Sequence, residues 1–195
     1  MIHPHTELRF INNEIGHGVV ATQFIPAGTI TWVLDELDRE FTTQQFSEMA
    51  PPFQNILDTY SYRNSKGNYV LCWDHGRFVN HSFKSNCLST AYDFEIAVRD
   101  IHPGEQLTDD YGYLNVDTPF QPSEEGTKRK IVYPDDLEHH HKKWDKKIAA
   151  VFPKIATLPQ PLAELLPKKT KERIEAINAG NEELESILTL YFKRN

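Results

Sequence analysis

Residues 77–87 read RFVNHSFKSNC, and the last eight of them, NHSFKSNC at 80–87, crowd amide, imidazole, hydroxyl and thiol groups together. Three chemistries compete for this stretch: a metal site, a nucleophile site, or polar side chains serving the backbone. A structural zinc site takes four ligands, commonly Cys and His in paired close spacings. His75, His81 and Cys87 are near one another, but no C-x-x-C pair exists, so no metal is expected. A cysteine nucleophile requires a base and an orienting third group. Cys87 with His81 can be drawn that way, yet a strand-like run such as NCLSTAY more often buries its cysteine as a small apolar group. For Asn80 and His81, hydrogen bonds from side chain to backbone in a turn-rich core are a sufficient account on residue chemistry alone.

Working outward, two further stretches carry weight: GHG at 16–18 and GEQLTDDYGY at 104–113. Gly-His-Gly lacks the third glycine and the strand–loop–helix setting of a dinucleotide loop. By itself it reads as a turn with positive backbone dihedrals. Residues 7–34 read as short strands, because Val, Ile, Thr, Phe and Trp favour strands and Pro-Ala-Gly closes a turn. A short helix is expected around 43–49, stopped by Pro51-Pro52. YSYRNSKGNYVLCW reads as an aromatic hairpin. VVATQFIPAGTI echoes EIAVRDIHPGEQL: each runs a strand into a Pro/Gly turn.

Beyond residue 115 the strand signals fade. TPFQPSEEGTKRK is a polar connector, and PDDLEHHHKKWDKKIAAVF reads as a helix with Leu137, Trp144, Ile148, Val151 and Phe152 on one face. NEELESILTLYF repeats the amphipathic pattern, and KKTKERIE is a solvated helix face. Consecutive residues of a helix diverge by about 100°, so the run His139, His140, His141 is not a metal site. His141 falls near the apolar face and the other two near solvent. The reading is mainly β: residues 1–115 form a β-rich body, and 116–195 a connector and helical region packing on it.

The formal net charge of -7 argues against direct nucleic-acid binding and is compatible with a cationic partner such as a basic peptide. No apolar run approaches the roughly 18 residues of a membrane span. MIHPHTELRF has no secretory pattern, and Cys72 and Cys87 read as thiols in a reducing compartment, so a cytoplasmic location is expected.

Order and spacing add a different kind of information. Arg-Phe-x-Asn-His-Ser, then Asn-Cys, then a strand, GEQL and Asp-Tyr-Gly resemble the SET-domain protein lysine methyltransferases. GHGVVATQFIPAGTI matches their N-terminal element, and the resemblance covers residues 7 to about 115. It is strongest to small stand-alone proteins of bacterial type. The resemblance implies a SET (β-clip) fold of short strands whose two central motifs thread into a pseudoknot active site, followed by C-terminal helices. It implies S-adenosylmethionine as cofactor and a lysine-containing protein or basic peptide as substrate. It places Gly16, His17, Gly18, Arg77, Phe78, Asn80, His81 and Tyr111 at the cofactor. It also implies that Tyr111 is the catalytic residue. Asp109, Tyr113 and Tyr62 fall along the substrate channel, with Tyr60 and Trp73 as further wall candidates.

Three departures from the family pattern matter. Phe83 stands where many relatives carry a zinc-binding cysteine, and no cysteine follows Cys87. In a family branch without the zinc module a C-terminal helix closes the cofactor pocket, so the resemblance implies that the helix carrying Trp144 does so here, with Trp144 or Phe120 near the adenine. Ser85 replaces a proline. Asp109 occupies the position where relatives carry Phe or Tyr and tune the degree of methylation. A carboxylate there opposes lysine deprotonation, which keeps open an alternative: a SET-fold module that binds cofactor or a basic peptide without turnover.

Overall fold

Local signals set the N-terminal half. In this computed structural model, which describes residues 1–123 and 125–194, β1 (Thr6–Asn12) and β2 (Gly16–Ala21) form an antiparallel hairpin. Asn12 closes its turn by accepting at Oδ1 from the amides of Glu14 and Ile15 at 2.9 and 2.8 Å. Gly16 leaves that turn at φ 78°, in the left-handed region where a Cβ is penalised.

β3 (Ile30–Val33), β4 (Arg39–Phe41), α1 (Thr43–Glu48) and α2 (Pro51–Tyr60) follow. Thr42 and Gln45 cap α1 reciprocally. Pro51 and Pro52 were expected only to end a helix. They also begin α2, because a proline in the first turn lacks an N–H that would have no helical partner anyway. β5 (Ser61–Arg63) and β6 (Tyr69–Leu71) make the expected hairpin, and β4 joins the other side of β6.

β7 (Asn80–His81), β8 (Cys87–Ser89), β9 (Phe94–Ala97) and β10 (Thr108–Asp109) complete the strands. The sheet order β3-β9-β8 is buried on nearly every residue, so its strands are apolar without alternation. The two echoed segments pair with each other: Ile25 and Ile101 exchange both backbone hydrogen bonds at 2.9 Å, and Gly28 and Gly104 turn each copy at φ 97° and 88°.

α3 (Asp136–Val151) and α4 (Lys168–Asn178) follow the connector. Leu137, Trp144, Ile148, Val151 and Phe152 join Leu88, Tyr92, Phe94, Ile96 and Tyr113 in one buried cluster. α4 buries only Ile174, as a solvated helix should. The 181–192 stretch is not the helix its periodicity suggested. It runs extended with one 3-10 turn at Ile187–Leu190, because Asp145 of α3 accepts from the Ile187 amide at 2.8 Å and the Ser186 hydroxyl at 2.6 Å. Ile187 is still buried there. Among the described residues no helix is long and apolar enough to cross a membrane.

Candidate active site

The segments around Asn80 and Tyr111 are interlocked. β7 and β10 run parallel, with Thr108 opposite Asn80 and Asp109 opposite His81. Asn86, wholly buried, clamps the crossing: its Nδ2 donates to the Gln106 carbonyl and its Oδ1 accepts from the Thr108 amide, both at 2.8 Å. The Ser82 amide donates to the Asp109 carbonyl at 2.8 Å. Tyr111 is thereby delivered to His81: its amide donates to His81 Nδ1 at 3.1 Å. Its hydroxyl donates to the Val79 carbonyl at 2.7 Å.

Gly18 belongs to the same assembly. A Cβ on it would lie 2.4 Å from Gln106 Oε1 and 2.7 Å from Asn80 Nδ2. Asn80 Nδ2 itself donates to the His17 carbonyl at 3.1 Å and to Gln106 Oε1 at 3.0 Å. The Asn80 amide therefore serves the backbone, as residue chemistry alone allowed, and only glycine leaves room for it.

A cavity of about 670 Å³ opens beside this crossing. Its walls include Tyr60, Tyr62, Arg77, Val79, Tyr111 and Phe120, and α2 contributes Leu57. Among the described residues five carboxylates also line it: Asp58, Asp93, Glu95, Asp109 and Asp117. Two arginines, Arg63 and Arg77, oppose them. Arg63 is already paired with Asp117 at 2.8 Å, and Arg77 donates to the Trp73 carbonyl at 3.2 Å. The cavity is thus predisposed toward a cation.

Burial shapes the ionisations. It pushes Asp109 up to about 6 and Glu95 well above the ordinary carboxylate range. It raises the Tyr111 hydroxyl, so that side chain stays neutral. His81 is lowered, chiefly by burial against the opposing pull of Asp110, so its ring is neutral at physiological pH. His81 Nε2 is buried without a hydrogen-bond partner among the described residues, and the ring lies among Phe83, Tyr111 and Phe120 at centroid distances of 4.6, 5.4 and 5.6 Å.

A family model described as the SET domain matches residues 16–112. The chain belongs to the SET-domain family. The SET fold accounts for the small sheets and the threaded crossing. Among solved structures, a candidate histone methyltransferase of Plasmodium falciparum aligns at 18% identity and a TM-score of 0.42, over 56% of this chain and 95% of that one. No curated protein matches the chain.

Of the residues singled out in the sequence, Tyr62, Arg77, Asp109 and Tyr111 of the SET domain line the cavity, with Tyr60 beside them. Asn80, His81 and Gly18 build the crossing behind Tyr111. His17 lies edge-on to Phe78 at 6.4 Å, and Phe78 to Tyr60 at 5.2 Å. Tyr113 and Trp144 are not among the described residues that line this cavity: both are 1% exposed and pack edge to face at 5.5 Å. Trp73 is exposed and donates from Nε1 to Asp35. Phe120, not Trp144, reaches Tyr111, at 6.0 Å. Among the three histidines of α3, His140, expected near solvent, meets the apolar face 5.9 Å from Trp144, whereas His141, expected there, bonds the Glu138 carbonyl.

Sequence reading passed over Glu95, Asn86 and Arg129. Glu95 hides inside an apolar strand, where a lone carboxylate is the signal that could have found it. Cys87 is fully buried and its thiol is pushed well up by burial, against a nucleophilic role. Among the described residues no group of three or more His, Cys, Asp or Glu is placed to hold a metal ion.

Proposed function

We propose that this chain is an S-adenosylmethionine-dependent methyltransferase that acts on a lysine side-chain amine of a protein. The observation that carries the reading is the position of Tyr111 within the SET fold. Its hydroxyl is fixed by the Val79 carbonyl at the wall of a cavity lined by carboxylates. A lysine-containing protein or basic peptide is the substrate that such a lining favours.

The residues fit the cofactor in three respects. His81 Nε2 is a buried polar atom without a partner among the described residues. Arg77 lines the cavity and offers a cation to an amino-acid carboxylate. Phe120, near both His81 and Tyr111, offers an aromatic face. Gly16, His17, Gly18, Phe78 and Asn80 are assigned to the cofactor side by the family resemblance; they stand beside the cavity, Phe78 against Tyr60 and Asn80 next to Val79, rather than lining it. When bound, S-adenosylmethionine supplies an electrophilic methyl group on a sulfonium.

The protein's own work is positioning and desolvation. Lysine has a reference pKa of about 10.4, so the free amine is scarce at neutral pH. The carboxylates draw the cationic side chain in, and burial of its amine against Tyr62, Val79, Tyr111 and Phe120 then disfavours the ammonium form. The Tyr111 oxygen and the Val79 carbonyl orient the amine and hold the methyl group through weak C–H···O contacts. In this reading residues 1–115 are the catalytic domain and 116–195 a connector and helical region.

The test is transfer of labelled methyl from S-adenosylmethionine to a panel of lysine-rich proteins, run beside cofactor binding by calorimetry. Transfer that falls about a hundredfold in Tyr111→Phe, with binding retained, supports the reading. Binding without any transfer indicates the non-catalytic module. Absence of binding overturns the cofactor assignment.

A further inference from the structure

Glu95 and Asp109 meet at the cavity wall from different elements, β9 and β10. Their carboxyl groups interact directly there, both withdrawn from water. Both are buried, at 8% and 5% exposure. Two carboxyl groups in contact and away from water hold one proton between them more readily than two charges. The pair is therefore a singly ionised unit. Ser89 Oγ donates to Glu95 Oε1 at 3.1 Å, and the Tyr113 hydroxyl, beside Asp109, donates to the Cys87 carbonyl at 3.4 Å. Asp109 Oδ1 is buried and has no hydrogen-bond partner among the described residues. An acceptor in that condition, on a cavity wall two residues from Tyr111, awaits a donor.

We propose that Glu95 and Asp109 form a shared-proton base that takes a proton from the substrate lysine's ammonium, an inference that rests on the lysine reading above. One ammonium N–H bond breaks and one carboxylate O–H bond forms. The lysine becomes a neutral amine with its lone pair free for attack, and the pair passes from singly ionised to fully protonated. No charge is left stranded, because cation and anion disappear together. The proton returns to solvent through the open cavity as product departs.

The surroundings favour this transfer. The titratable groups around the pair are Asp93, Asp110, Tyr62, Tyr111, Tyr113, Cys72, Cys87 and the terminal amine of Met1. The Met1 amine is already held by Asp35 at 2.7 Å. Among the described residues no fixed cation is dedicated to Glu95 and Asp109. Burial raises the proton affinity of both, bringing it closer to that of a desolvated lysine. An unpaired carboxylate of ordinary acidity would be a poor base toward an ammonium.

Glu95→Gln and Asp109→Asn in the full chain test the proposal. Methyl transfer to lysine-rich proteins would be followed from about pH 6 to about pH 10, where lysine approaches its own reference pKa. The expected result is a loss of about a hundredfold near neutral pH that closes as the pH rises, since free amine then forms without help. A loss independent of pH, in a variant with native circular dichroism, would mean that the pair only holds β9 to β10, and would overturn the proposal. No transfer by the wild type would remove the lysine reading and this inference together. Transfer by the wild type with unchanged variant profiles would remove this inference alone. An independent readout is carbon-13 titration of the carboxyl groups without cofactor. Coupled titration, altered at Glu95 by Asp109→Asn, is expected; separate titrations in the ordinary carboxylate range would overturn the shared proton. Should Glu95→Gln fail to fold, Asp109→Asn and the wild-type titration decide.

Discussion

Arg129 grips Asp110 with two guanidinium nitrogens and reaches Asp136 with one of them, so the connector is tied both to the residue before Tyr111 and to the start of α3. Its guanidinium also lies 4.6 Å from the Phe83 ring and 5.8 Å from the Trp144 ring. Asp110 and Asp136 are 2% and 4% exposed, so neither has water to fall back on. Arg129→Met removes the cation and leaves two buried carboxylates. We expect a loss of about 3–5 kcal/mol in urea unfolding. A loss below about 1 kcal/mol, the scale of exposed pairs, would show that the network is solvated.

Asn86 holds the threaded crossing through one side chain. Asn86→Ala leaves the Gln106 carbonyl and the Thr108 amide without their partners. The expected cost is about 2–4 kcal/mol in the same assay. Hydrogen exchange should show the loss locally, with the Thr108 and Ser82 amides exchanging faster than those of the β3-β9-β8 sheet.

Gly18 and Gly104 separate two reasons for glycine. Gly18 lacks space, whereas Gly104 has open space but sits at φ 88°. Gly104→Ala should cost about 1–2 kcal/mol of backbone strain and leave the site unchanged. Gly18→Ala should cost about 1–3 kcal/mol by overpacking and also displace the Asn80 and Gln106 amides. Cofactor affinity measured by calorimetry should fall in the second variant only.

The raised carboxyls also predict a pH signature in stability. Their folded affinity for protons exceeds the unfolded one, so their contribution is fully present below about pH 4. It is lost as the pH rises through about 6, the folded value of Asp109. Buried His3, lowered to about 4, acts with the opposite sign over much of the same window. The informative quantity is therefore the melting-temperature difference between Asp109→Asn and wild type. It should favour the variant increasingly as the pH rises from about 4 to about 7. A difference that stays flat with pH would contradict the raised affinity.

Much of this protein was legible in its sequence, because hairpins, caps and helical faces are local. The Asn64–Asn68 turn, the Thr42 cap and the apolar face of α3 each follow from residues a few positions apart. The order of GHG, RFVNHS and DDYGY carried the family and, with it, the position of Tyr111. α2 was missed because two prolines mark both a stop and a start. The helix expected over 181–192 was overridden by Asp145, a partner some 40 residues away. Trp144 and Phe120 were equal candidates in sequence, and packing separates them: one is sealed against Tyr113, the other faces the cavity. Tertiary structure alone decided the carboxyl pair. Glu95 and Asp109 lie in different strands, and nothing in the spacing of either says that they meet. Burial then changed their chemistry, since withdrawing two acids from water makes sharing one proton cheaper than keeping two charges.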